Sequence, residues 1–255
     1  WAVMALGIVA HFILPWLAPH LFVDGMTTFL KDPHTYHRLA LGVANAPWSE
    51  FTLRPDGQFP GGILGLIYKL TSIHRPFMML PVLAAMAGLT IRSIASCLDI
   101  LGVRGRWWPL VIGIVFTVTP TSLSWMIYPH KDAFIVPGAI ILTWTLMAAT
   151  LRRIRLRHFA LLVLGSLLVF SSKPYFAELF FAGTLLSIPF AWGQPASTLG
   201  RYGRVVFFGC ALGIFALCGM WKKGYSSSGE SWTQAATKVG VEQTPVALPR
   251  HRALK

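Results

Sequence analysis

The sequence predicts an all-α polytopic membrane protein with about seven transmembrane helices and a partly helical, outward-facing first loop. Three observations predict it. Charged residues make up 12% of the 255-residue chain, about half of what keeps a soluble domain of this length wet. Hydrophobic residues make up 55% of it and mean hydropathy is positive. Uncharged apolar runs of roughly 17 to 25 residues, the length that crosses a bilayer as helix, recur along it. The net charge of +13 comes largely from arginines that punctuate apolar runs. That is the pattern of positive-inside anchoring and not of a basic nucleic-acid face, so no nucleic-acid partner is expected. Cys97, Cys210 and Cys218 lie in apolar runs without CxxC spacing and read as core-filling thiols.

In chain order, Trp1 to Val23 is uncharged and forms the first span, kinked at its far end by Pro15 and Pro19. It lacks a small-residue cleavage site and is expected to be permanent. Asp24 to Arg75 is too polar to span, although Arg38 to Val43 and Gly62 to Leu70 suit short surface helices. The further spans are Pro76 to Leu98, Trp107 to Tyr128, Ala133 to Leu151, Phe159 to Ser172, Phe176 to Trp192 and Val205 to Trp221. Residues 1–221 form the transmembrane module and 222–255 a polar, outward-facing tail. The chain is expected to be a fragment, or a mature chain missing its first few residues, with the tail leading into a further segment.

Sidedness follows from the short connections. Arg104 and Arg106, then Arg152, Arg153, Arg155 and Arg157, then Arg201 and Arg204 occupy alternate turns. Basic short loops stay cytoplasmic, so the 24–75 loop, the Lys131 turn, the Lys173 turn and the tail face outward. That surface then gathers Asp24, Asp32, His34, Tyr36, His37, Glu50, Arg54, Asp56, Lys131, Asp132, Lys173, Tyr175 and Glu178. A charge at the hydrocarbon boundary is costly, on the order of 2.5 to 3.5 kcal/mol at mid-helix. Asp132 opening a span and Glu178 just inside one therefore invite a functional reading. Lys131 and Lys173 could equally snorkel to headgroups.

Asp32-x-x-x-Tyr36-x-x-x-Ala40, directly after the first span, resembles the acidic first-loop motif of the GT-C superfamily of polytopic glycosyltransferases. That superfamily includes protein O-mannosyltransferases and lipid A aminoarabinose transferases. Pro33 replaces the Glu that often follows the motif's Asp. Phe59-Pro60-Gly61-Gly62-Ile63-Leu64 resembles the start of the superfamily's juxtamembrane helix. Lys131-Asp132 and Lys173-Pro174-Tyr175 resemble turns of its bacterial members.

The resemblance implies sugar transfer from a polyprenyl-phosphate donor to a glycan, lipid or protein acceptor, at the outer face of a bacterial inner membrane. Such transfer needs a carboxylate to take the acceptor's proton and cations beside the departing phosphate. Asp32 is the first choice for the carboxylate and Asp24 its rival. Lys131 and Lys173 are the expected phosphate binders, with Arg54 weaker. Asp132 pairs with a lysine or acts on substrate, and Tyr36 and Tyr175 stack on a sugar or simply sit at the interface. No cofactor is expected. His34 and His37, three apart, give two metal ligands but no third.

A polymerase or ligase of lipid-linked glycans would use the same phosphate chemistry, and the acidic loop right after the first helix favours single-sugar transfer over it. A transporter or flippase would place ionisable residues at mid-membrane and repeat its halves. Only Arg92 and Glu178 lie within spans, both near ends, and no half repeats. A structural subunit with merely solvated charges is the remaining reading.

Overall fold

The computed structural model describes residues 2–51, 53, 58–103, 105, 107–151, 154–193 and 198–227. Arg54, Asp56, Arg104, Arg106, Arg152, Arg153 and residues 228–255, all used in the sequence reading, lie outside the described residues. The fold is mostly helical, and three helical stretches are long and apolar enough to cross a membrane: Pro76–Ile100, Asp132–Leu151 and Gly200–Met220. Shorter apolar helices cover Ala2–Leu17, Leu156–Phe170 and Phe176–Trp192.

The first helix is not regular. α1 (Ala2–Ile8) passes through a π turn (Val9–Ile13) into α2 (Leu14–Leu17). Pro15 has no N–H to close on the His11 carbonyl, so the helix widens there. Beyond Leu17 the expected span gives way to a 3₁₀ turn (Pro19–Leu21) and a two-stranded antiparallel hairpin, β1 (Phe22–Val23) and β2 (Met26–Thr27). Asp24 and Gly25 make its turn with φ of 53° and 76°. Two positive φ values are what a two-residue hairpin loop demands, and Asp-Gly supplies them readily.

α3 (Lys31–Asn45) and α4 (Phe59–Thr71) follow, longer than the surface helices expected at 38–43 and 62–70. They pack in parallel with very close backbones. A Cβ on Gly61 would lie 3.3 Å from the Tyr36 carbonyl oxygen, and one on Gly65 3.0 Å from that of Ala40. The Gly-x-x-x-Gly spacing lets α4 lie against α3 as small residues do at membrane helix crossings. Lys69, one turn on, donates to the carbonyls of Ala44 and Ala46 at the end of α3.

α5 (Leu80–Ile100) returns alongside α1 and packs on α8 (Asp132–Leu151). The expected third span, Trp107 to Tyr128, is not one helix. It divides into α6 (Trp108–Val118) and α7 (Pro120–Ile127) about an extended Thr119. A residue before proline is pushed out of the helical region, which an apolar run cannot reveal. α9 (Leu156–Phe170) crosses α8 where Gly138 meets Gly165, each Cβ position about one contact from the other's carbonyl, at 3.0 and 3.1 Å. α10 (Phe176–Trp192) and α11 (Thr198–Ser227) complete the bundle, and α11 runs on through Lys222 to Ser227 where a polar tail was expected.

The main core joins α3, α4, α5 and α8 around Leu64, Tyr68, Leu83, Phe134 and Ile141. A second joins α8 to α11. A third, small one brings Ala10, Met26, Ile127 and Tyr128 together, so the hairpin is packed against the end of α7.

Candidate functional site

Asp32 lies in the first turn of α3, where the helix dipole favours a carboxylate and Pro33 costs no hydrogen bond. Tyr36 and Ala40 follow at four-residue intervals on the same face. Ala40 is fully buried, and its small side chain is what admits Gly65. The motif therefore combines a polar end with a packing end.

The partner of that polar end is the turn between α7 and α8. The Asp32 carboxylate oxygen Oδ2 accepts from His130 Nε2 at 3.2 Å and lies 3.5 Å from Lys131 Nζ. The Asp132 backbone N–H donates to His130 Nδ1 at 3.2 Å. These partners place the imidazole proton on Nε2, facing Asp32. The Asp132 carboxylate lies 3.5 Å from the same Nδ1, a contact between two acceptors that becomes attractive only if His130 takes a second proton. The imidazole thus sits between two carboxylates. Burial holds its pKa below the ordinary imidazole value, against the pull of Asp132 and Asp32 and with the help of Lys131. It is therefore neutral near pH 7.

Tyr36 is buried with its ring edge-on to His130, centroids 6.4 Å apart. Burial, then Asp32 and Asp132, raise its hydroxyl pKa far above the ordinary phenol value, so it stays protonated as a donor. Asp32 itself keeps 46% of its side chain exposed, which leaves room for a substrate to reach it.

The position of the turn is fixed from behind. His11, in the π turn and buried, donates from Nε2 to the Ile127 carbonyl at 3.0 Å. Its ring meets Tyr128 edge-on at 5.1 Å. The first helix is thereby fastened two residues upstream of Pro129.

The remaining sequence candidates are distributed differently. Lys173 lies at the same end of the antiparallel α8/α9 pair as Lys131, since Gly138 packs on Leu168 and Val169 while Leu142 packs on Gly165. Its ammonium sits over the rings of Tyr175 and Phe176, 5.7 and 6.0 Å from their centroids. Tyr175 stacks on Phe176 and is half exposed. Asp24 occupies the hairpin turn, where its charge acts on His37 and Tyr68; it is not among the partners of His130. Glu178 lies in the first turn of α10. His34 and His37 do not share a ligand position: His34 Nε2 meets the Thr27 carbonyl at 3.1 Å, and His37 Nδ1 meets the Tyr68 hydroxyl at 2.8 Å. Among the described residues no group of three His, Cys, Asp or Glu could hold a metal ion.

His130 was not singled out from the sequence, although it stands beside Lys131 and Asp132 in a turn that was. The available signal was its place between two residues already under suspicion. No family model matches the chain, and neither does any curated protein or solved structure.

Proposed function

We propose that this chain is a membrane glycosyltransferase that moves a sugar from a polyprenyl-phosphate donor to an acceptor hydroxyl at the outer face of a bacterial inner membrane. The observation that carries the reading is the meeting of Asp32 with both His130 and Lys131. A general base, a group to orient it and a cation stand within one contact shell, half open to solvent. About seven spans frame it, counting the three long apolar helices, the shorter ones and the broken α6/α7 segment. Outward placement of this end rests on the arginines that alternate connections carry.

In the proposed reaction the acceptor hydroxyl hydrogen-bonds to the Asp32 carboxylate. As its oxygen bonds to the anomeric carbon, its proton passes to Asp32. The bond from that carbon to the phosphate oxygen breaks, and the oxygen keeps the electron pair. The polyprenyl phosphate that leaves has gained negative charge, which Lys131 stabilises where it already faces a carboxylate. Lys173, at the same end of the bundle, is the second cation. His130 holds Asp32 in place, and the proton that Asp32 collects leaves to solvent from its exposed side.

Proton removal by a positioned carboxylate contributes about 10²- to 10⁴-fold in rate. Asp32→Asn keeps the size and can still accept from His130, so the loss of transfer should fall in that range. The assay is the full chain in nanodiscs with a polyprenyl-phosphate sugar labelled in the sugar, product being counted and sized. An Asp32→Asn protein that transfers at the wild-type rate would remove Asp32 from catalysis and the reading with it.

A further inference from the structure

The turn between α7 and α8 holds a ring whose two nitrogens face carboxylates from two parts of the chain. His130 Nε2 is 3.2 Å from an Asp32 oxygen, and Nδ1 is 3.5 Å from an Asp132 oxygen. Only the first contact is attractive while the imidazole is neutral. With its proton on Nε2 the ring donates to Asp32, and Nδ1 accepts from the Asp132 backbone N–H at 3.2 Å. The Asp132 carboxylate then stands beside a lone pair. In an imidazolium that second contact is reversed: Nδ1 becomes a donor, the carboxylate becomes its acceptor, and the backbone N–H loses its own acceptor.

The groups that face the ring are Asp32 and Tyr36 from α3, with Lys131 and Asp132 from its own turn and the start of α8. Burial opposes a second proton most strongly and Lys131 adds to that, while Asp132 and Asp32 favour it. The ring is therefore neutral near pH 7 and its change lies on the acid side. Tyr36 stays a neutral phenol throughout, since burial and the two carboxylates hold its hydroxyl pKa far above that range. The side chains of His130 and Asp132 are 23% and 39% exposed, so the pair is within reach of solvent protons.

We propose that His130 is a proton-operated switch of the Asp32 site: a second proton, taken at Nδ1, moves the ring's bond from the Asp132 backbone to the Asp132 carboxylate and closes Asp32 into an imidazolium pair. The proton comes from solvent and returns to it, and no other covalent bond changes. In the neutral state Asp32 accepts from an uncharged donor beside one cation, Lys131. In the acid state it faces two cations, and a carboxylate held between two cations is a poor proton acceptor. The consequence for catalysis rests on the sugar-transfer reading above, in which acid at the outer face withdraws the base. The proton uptake itself does not rest on it.

The full chain, labelled with ¹⁵N-histidine in nanodiscs, is titrated from about pH 7.5 to about pH 4.5, a window that covers the ordinary imidazole value and stops short of the carboxylate one. His130→Gln assigns the His130 signals. The expected result is an Nε2–H tautomer at the neutral end and passage to imidazolium on the acid side. Asp132→Asn keeps the backbone N–H and the size of the side chain and removes the charge, so it should weaken proton binding at His130 by about tenfold or more. Sugar transfer by the same samples should fall by about tenfold per pH unit below the His130 midpoint, as a rate governed by one proton does. That fall should move to lower pH in Asp132→Asn. His130→Gln, whose amide can donate to Asp32 and accept from the Asp132 backbone but takes no proton, should keep its own rate until the carboxylates titrate. An Nδ1–H tautomer at the neutral end, a ring that stays neutral to the acid end, a titration indifferent to Asp132→Asn, or transfer that persists while His130 is protonated would each overturn the switch. A wild type that transfers no sugar at any pH, with the titration and its dependence on Asp132 as expected, would remove the sugar-transfer reading alone.

Discussion

Replacing Gly65 by alanine tests how the helix pair that carries Asp32 is held. The added Cβ would stand 2.6 Å from Val43 Cβ, 2.7 Å from Val43 Cγ1 and 3.0 Å from the Ala40 carbonyl oxygen. Carbon atoms pack at about 3.5 to 4.0 Å, so α3 and α4 must part by roughly 1 Å. No rotamer change of Val43 relieves this, because Val43 Cβ is fixed to the backbone. Overpacking of that kind costs about 1 to 3 kcal/mol. Gly42→Ala provides the control on the same helix pair, since nothing lies within 4 Å of a Cβ there. It should instead gain about 0.5 to 1 kcal/mol, the cost of glycine in a helix interior. The two substitutions are chemically identical and opposite in expected sign. Function should follow packing. Asp32 begins α3, and its 3.2 Å contact with His130 passes out of hydrogen-bond range if the helix moves by about 1 Å. Misplacement on that scale can cost about 10²-fold in rate. Thermal unfolding of the purified proteins in detergent, beside the transfer assay, reads both effects. A Gly65→Ala protein as stable as Gly42→Ala, with transfer intact, would refute the close α3–α4 packing and its link to the site.

Three further outcomes follow from the same geometry. Because Asp32 is nearly half exposed, its ion pair with Lys131 contributes only about 0 to 1 kcal/mol, so Asp32→Asn should unfold close to wild type while transfer collapses; a large loss of stability would recast Asp32 as a structural residue. His130 has a folded-state pKa below its unfolded value, so the unfolded chain binds more protons and stability declines as pH falls through and below the ordinary imidazole range. Unfolding of wild type against His130→Gln across pH 5 to 7.5, as an approximate imidazole window, should show a shallower acid decline in the variant, and equal slopes would deny His130 that role. Asp24 adopts a positive φ, so Asp24→Asn and Asp24→Gly should be tolerated while Asp24→Val costs about 1 to 2 kcal/mol; equal stability of all three would contradict the hairpin turn.

How much of this was legible in the sequence depended on whether a signal was periodic or positional. The helices of the bundle were visible because apolar runs report length directly, and so were the short helices after the hairpin, though not their full extent. What broke those runs was positional. Thr119-Pro120 divides a run that carries no charged residue, and Asp24-Gly25 turns a hairpin where only the end of a span was expected, although Asp-Gly between apolar pairs was a readable turn signal. The site shows the same division. Lys131 and Asp132 drew notice as charges at a membrane boundary, whereas His130 carries no charge at neutral pH and so raised no cost to be explained. Its importance comes from standing between Asp32 and Asp132, one about a hundred residues earlier in the chain. The turn that carries His130 is held from behind by His11, a polar residue inside an apolar run that fastens the first helix to the end of α7. A buried histidine with one carbonyl partner could not be placed without knowing which carbonyl. Once it is placed, the two acidic candidates separate: Asp32 faces the turn that His11 anchors, and Asp24 stays in the hairpin turn, where its charge acts on His37.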